Sequence, residues 1–180
     1  MDFHHFYKTL QQQERKHKHG LYRMDEICRW FEDGSRRRIQ YFVKKAVRQR
    51  LLLRIHRGIY RVADTDTPVH AMFPHLVKAL RPRAVNYVSL ESVLSAHGII
   101  SQIPFVITMT STGKSGRYDT AVGSVEFVHT KKDVKHLSHH LEEAQDGLVY
   151  ADAELAYREL KRLNRNLHLV DIESLNEVLS

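Results

Sequence analysis

Ile39, Phe42, Val43, Ala46, Val47 and Arg50 recur at steps of three and four residues. That spacing predicts a helix with one apolar stripe, preceded by the breaker Gly34 and opened by Ser35 as N-cap. Arg37, Arg38, Tyr41, Lys44, Lys45 and Arg48 fall largely off the stripe. From Leu51 the period changes from helical to alternating. Leu51-Leu52-Leu53-Arg54-Ile55 and Ile59-Tyr60-Arg61-Val62 read as two short strands that turn at Arg57-Gly58.

The same stretch carries the charge of the chain. Ten Arg or Lys and no Asp or Glu lie between Arg36 and Arg61. The remainder holds 18 basic and 21 acidic residues, so +10 sits here and −3 elsewhere, which together give the formal +7. A Lys/Arg-rich helix face is ordinarily just solvated. Here charge, helix and hairpin coincide, which points to a polyanion as partner. A basic helix followed by a basic hairpin is the second half of a winged helix-turn-helix, in which the helix enters the major groove and the hairpin lies near the backbone or minor groove.

At 180 residues with 42% apolar content, one domain or two small ones is expected. No run of 18 apolar residues predicts a membrane span. The start Met1-Asp2-Phe3-His4-His5 lacks the basic-then-apolar order of a secretory leader. Cys28 is the only cysteine, so no internal disulfide forms and a cytoplasmic protein is the simplest reading.

Taken in order, residues 3–15 read as a helix with Phe3, Phe6, Tyr7 and Leu10 on one face, ended by Gly20. Residues 21–31 read as a second helix with Met24, Ile27, Cys28 and Phe31 inward, and Cys28 as a small core residue. Glu32-Asp33-Gly34-Ser35 is then the turn between two helices of a helix-turn-helix. The polar, proline-bearing run 63–68 is the expected domain boundary, leaving a DNA-binding domain over 1–63 and an α/β domain over 68–180, an α+β protein as a whole. In the second part, residues 69–80 read as a helix, 87–88 as a strand, and Ser89 as the cap of a helix stopped by Gly98. Strands are expected at 105–110, 117–121, 124–130, 148–150 and 168–170, and helices at 131–144, 152–163 and 172–179.

Tyr87-Val88-Ser89-Leu90-Glu91-Ser92, then Leu94, then His97-Gly98-Ile99-Ile100, followed by Gln102-Ile103-Pro104 and a Thr-rich strand, resembles the AbiEi family, the antitoxin halves of type IV abortive-infection toxin–antitoxin pairs. Ala151-Asp152-Ala153-Glu154-Leu155-Ala156 resembles a later family element that opens a helix, and a hairpin closing on Arg57-Gly58-Ile59-Tyr60 is similar to the end of the family's winged helix. The resemblance implies an N-terminal domain that binds double-stranded operator DNA and represses its own operon. It also implies a C-terminal domain that opposes a nucleotidyltransferase-like toxin without necessarily touching it. A two-fold operator can be bound by a homodimer or by two monomers.

Base readout is expected from Ser35, Arg36, Arg37, Arg38, Gln40 and Tyr41, since Arg pairs with guanine and Gln with adenine. Lys44, Lys45 and Arg48 suit phosphates, and Arg54, His56, Arg57 and Arg61 belong to the wing. Lys114 and Arg117, on a hairpin tip, are a candidate second contact to nucleic acid. Other motifs fall short. Gly113-Lys114-Ser115 lacks the earlier glycine and the following helix of a P-loop. His17 with His19, and His136 with His139 and His140, lack the companions a metal needs, so no metal or cofactor is expected. Asp152, Glu154 and Glu159 are candidate acid–base partners, but no nucleophile–base pair is evident and no enzyme is expected. Two rivals remain: a regulator whose second domain binds a small molecule or a partner protein, and a nuclease built on Asp152 and Glu154.

Overall fold

The computed structural model describes residues 1–31 and 34–180. They divide into two compact units, Met1–Leu80 with Thr120–Val122, and Arg81–Asp119 with Gly123–Ser180. Among the described residues no helix is long and apolar enough to cross a membrane.

The first unit runs α1 (Phe3–His17), β1 (Leu21–Arg23), α2 (Met24–Arg29), α3 (Arg36–Arg48), β2 (Leu52–His56), β3 (Ile59–Val62), a 3-10 turn (Val69–Met72) and α4 (Phe73–Leu80). Asp2 opens α1 by accepting from the His5 N–H at 2.8 Å, and Lys18 closes it in the left-handed conformation. Residues 21–31 are not one helix as expected: Leu21–Arg23 is a strand and only Met24–Arg29 is helical. Leu21 and Tyr22 are both buried, and each pairs antiparallel with β3 (Leu21 opposite Arg61, Tyr22 opposite Tyr60). Three residues are too few for the alternation of a strand to show in sequence. The strand is kept by this pairing and by Tyr22 Oη, which donates to the buried Glu14 at 2.5 Å. The expected turn at 32–35 falls in part on Glu32 and Asp33, outside the described residues.

β2 and β3 pair antiparallel through Arg57-Gly58, with Gly58 at φ +74°, and the sheet order is β1-β3-β2. The core joins Phe6 and Leu10 of α1, Ile27 of α2, Ile39, Phe42, Val43 and Ala46 of α3, and Leu52 and Val62 of the hairpin. Phe6 stacks on Phe31 at 5.3 Å between centroids and meets Phe42 at 5.5 Å.

The division of the chain falls at Leu80/Arg81 rather than at 63–68. Buried groups hold the following segment to the first unit. Glu14 accepts from Thr65 and, at 3.1 Å, from Thr67. His75 stacks on His19 at 4.4 Å, and Arg23 donates to the Ala79 carbonyl at 3.3 Å. Gly20 sits at φ +71°, where other residues are strained, and a Cβ there would lie 2.6 Å from Met72 Cε and push that side chain aside.

The second unit is a six-stranded mixed sheet of order β6-β7-β5-β4-β9-β8. Its strands are β4 (Asn86–Val88), β5 (Ile107–Ser111), β6 (Gly116–Thr120), β7 (Gly123–His129), β8 (Leu141–Glu143) and β9 (Val149–Ala151). Helices α5 (Leu90–Ala96), α6 (Ala153–Arg162) and α7 (Ile172–Leu179) complete it, with α5 packed on α6 and on β5. β4 pairs antiparallel with β5 and parallel with β9, while β5 and β7 are parallel.

Three expectations fail in this unit. Phe105 is fully solvent-exposed outside the strand, which begins at Ile107. Residues 131–144 form a 3-10 helix (Val134–His140) and then β8, because β8 finds a partner in β9. Residues 168–170 overlap a 3-10 turn (Leu167–Leu169) with only a bridge from Val170 to Ile100.

Candidate nucleic-acid interface

Helix α3 buries Ile39, Phe42, Val43 and Ala46 and turns its other faces outward. Ser35 Oγ accepts from the Arg38 N–H at 3.3 Å, so the predicted N-cap stands. Arg36, Arg37, Arg38, Gln40, Tyr41, Lys44 and Arg48 are all exposed, Tyr41 to 61%. Lys45 is half-buried, its ammonium 4.4 Å from the Phe3 ring centroid, which makes it a packing residue as well as a charge.

On the hairpin, Arg54 and Arg57 are exposed and His56 is half-buried. Arg61 lies opposite Leu21 and Leu53 in the sheet, half-buried, with its Nε shielded from solvent and unpaired. Arg61 is therefore the wing cation least available to a partner. Among the described residues, no carboxylate lies within ion-pair distance of any of the ten cations between Arg36 and Arg61.

The first turn of α3 holds three arginines and no acid. A helix N-terminus carries partial positive charge, so cations there oppose its dipole, whereas an anion is favoured by the same unpaired N–H groups. Arg36, Arg37 and Arg38 thus sit where they weaken the helix and strengthen an anion site.

Lys114 and Arg117 are placed differently. Lys114 lies on the 112–115 loop, whose backbone is held by Arg81 Nη2 donating to the Lys114 carbonyl at 2.8 Å and His129 Nδ1 donating to the Gly113 carbonyl at 2.8 Å. The Arg81 guanidinium also lies over the Tyr118 and Phe127 rings. Arg117 is paired with Asp119 at 3.1 Å, which raises its pKa chiefly through that hydrogen bond. The segment after Gly113-Lys114-Ser115 is strand β6, not a helix.

The three candidate acid–base carboxylates have separate partners. Asp152 caps α6 by accepting from the Leu155 N–H at 2.7 Å, and its other oxygen accepts from His140 Nδ1 at 2.6 Å. Glu154 pairs with Arg158 at 3.3 Å. Glu159 is fully buried and accepts from Tyr87 Oη (2.7 Å), Ser89 Oγ (2.7 Å) and Thr110 Oγ1 (2.6 Å). Burial, then the bond to Glu159, pushes the Tyr87 hydroxyl pKa upward. Ser89 stands at the N-cap position of α5, yet its hydroxyl serves Glu159 instead of the cap.

A second network was not foreseen from sequence. Arg165 bridges Glu91 (2.5 Å) and Glu126 (2.8 Å), and Asn166 donates to Glu91 at 2.7 Å. The hydrogen bond from Arg165, with its charge, holds the Glu126 carboxyl below its usual range against the opposing effect of burial. Glu159 carried a readable signal, a carboxylate in register with Leu155, Ala156 and Leu160 on the inward face. Arg165 lies in a turn and carried none.

No protein-family model matches the chain, and no curated protein matches it.

Proposed function

We propose that this protein is a sequence-specific binder of double-stranded DNA that represses its own promoter, and that it acts as the antitoxin of a toxin–antitoxin pair. The observation that carries the DNA half is the exposed, acid-free cationic face of α3, continued by Arg54 and Arg57 on the hairpin. The order helix–strand–helix–helix–strand–strand, with β1 joining the hairpin through β3, is the arrangement a winged helix-turn-helix uses, and it supports that reading. In it, α3 is the recognition helix. Arg36, Arg37, Arg38, Gln40 and Tyr41 face base edges, Lys44 and Arg48 face phosphates, and the hairpin lies on the flanking backbone. The antitoxin half rests on the resemblance of the 87–100 and 151–156 segments alone.

The test is a gel-shift titration against the DNA upstream of this gene, with unrelated competitor and at several salt concentrations. Tight binding that survives competitor supports an operator-reading repressor. Binding that competitor removes rejects one, leaving nonspecific attraction. Co-expression with the neighbouring gene product tests the antitoxin half separately. Growth rescued by this chain supports it, and unrelieved toxicity rejects it.

A further inference from the structure

The second unit contains a cavity of about 470 Å³ that the DNA reading does not use. It lies between the end of α5 (Val93, Ala96, His97), the 3-10 helix (His139, His140), β8 (Leu141, Glu142) and the end of β9 (Tyr150, Ala151) with Asp152. The size is that of a small-molecule site, and Val93, Ala96, Leu141 and Ala151 supply apolar wall.

One polar group in it is fixed. His140 Nδ1 donates to Asp152 at 2.6 Å, and the His140 carbonyl accepts from the Asp152 N–H at 2.9 Å. Asp152 is itself fixed by capping α6. This double tether orients the ring and sets its tautomer: with the proton on Nδ1, neutral His140 presents Nε2 as an acceptor. A ligand that answers it carries an N–H or O–H.

The other charges argue against an anion: Glu142 and Asp152 put two carboxylates in the wall, and a third, Asp146, accepts from the wall residue Tyr150 through its Oη at 2.7 Å. A metal is equally disfavoured, since no three metal-ligating side chains converge among the described residues. The lining suits a small molecule without negative charge that combines an apolar face with a donor edge.

We propose that this cavity binds a nucleobase or nucleoside, its ring against the apolar wall and a ring or exocyclic N–H donated to His140 Nε2. His97 and His139 flank the opening and offer further polar contacts.

The experiment uses the full chain without DNA, so its outcome is separate from that of the DNA reading. Adenosine, guanosine, cytidine and uridine are titrated while the histidine ring resonances are followed by NMR, with adenosine monophosphate as the charged comparison. The expected result is a saturable shift of the His140 resonance with at least one nucleoside below about 10 mM. Read from the His97 and His139 resonances, which the variant keeps, the affinity should be weakened at least about tenfold by His140→Phe, which keeps a ring but removes Nε2. Ala96→Trp, an exposed position whose new side chain would fill the cavity, should abolish it with His140 intact. Absence of any saturable shift overturns the proposal, as does unchanged affinity in both variants. So does monophosphate binding about tenfold tighter than adenosine, which would make the cavity an anion site.

Discussion

Replacing Arg36, Arg37 and Arg38 together by Ala separates what these residues do for folding from what they do for binding. All three are exposed in the first turn of α3, and none has an ion pair among the described residues. Charges at a helix terminus contribute about 0.3–1 kcal/mol each at low ionic strength. Salt reduces that, and Ala is a slightly better helix former than Arg. The triple variant should therefore be more stable than the parent, by roughly 1 kcal/mol in urea unfolding at low salt. Its affinity for operator DNA should move the other way. A base-reading Arg contributes about 1–3 kcal/mol, so removing all three costs roughly 3–9 kcal/mol, a fall in affinity of about 10²–10⁶-fold. Because these three arginines face base edges, the slope of log K against log salt should change far less than it would on removing Lys44 and Arg48. A variant that is destabilised, or one that binds operator as tightly as the parent, would refute the assignment of α3 as the reading helix.

Glu159→Ala should destabilise the protein by roughly 3 kcal/mol or more, since three buried hydroxyls lose their acceptor at about 1–3 kcal/mol each. Glu159→Gln keeps one acceptor oxygen and should cost less; equal losses in denaturant unfolding would contradict the hydroxyl count. With Lys44, Arg48, Arg54 and Arg57 exposed and on the backbone, about four neutralised phosphates give a salt slope of roughly −3.6 for the parent, and a slope shallower than about −2 would reject this footprint. His19 and His75 both have pKa values lowered by burial, each with Glu14 and Glu26 nearby pulling weakly upward, His17 beside His19 and Lys78 beside His75. Their folded state binds protons less readily than the unfolded chain. The stability they lend is thus complete above the unfolded value of 6.5 and is lost as pH falls from there through the depressed folded values. His75→Phe should flatten that part of the stability–pH curve, and an unchanged curve would count against the pair. Cys28 is half-buried with its thiol pKa raised chiefly by burial, so alkylation at pH 7.5 should be slow in the native protein and fast in urea. Equal rates would place the thiol at the surface.

What could be read from the sequence is what periodicity encodes. The stripe of α3, its Ser35 cap, the turn at Gly58 and the inward faces of α1, α4 and α6 all repeat over several turns or follow from one residue's backbone preference. Elements that depend on a distant partner were not legible. β1 exists because β3, about forty positions on, pairs with it and because Tyr22 reaches Glu14. Pairing over such separations leaves no local pattern in three residues. The ties of residues 63–68 to the first unit were hidden for a similar reason. Residues 63–68 look like a linker by composition, but Thr65 and Thr67 are bound to Glu14 about fifty positions earlier. Of the interface, the residues were nameable from charge alone, but the distinction between exposed Arg48 and Arg57 and half-buried Lys45 and Arg61 needed the packing.

The segment that resembles the antitoxin family is spent largely on its own interior. Tyr87 and Ser89 hold Glu159, Glu91 holds Arg165 and Asn166, and Ser92 exchanges hydrogen bonds with Thr108. Leu90, Leu94, Ile99 and Ile100 are buried. These residues are constrained by the fold they close: a buried carboxylate needs its three hydroxyls, and buried Glu91 needs its half-buried partner Arg165. Such a segment is bound by the needs of its own interior and says little about what the unit touches. Whatever opposes a toxin must therefore be sought among the unit's solvent-facing groups, and substitutions inside the motif would report stability before they reported activity. In α3 the order is reversed. Its buried face is an ordinary apolar stripe, and its three leading arginines oppose the helix that carries them. A residue that works against its own element is the stronger pointer to function, and for that reason the DNA half of the assignment stands on firmer physical ground than the antitoxin half.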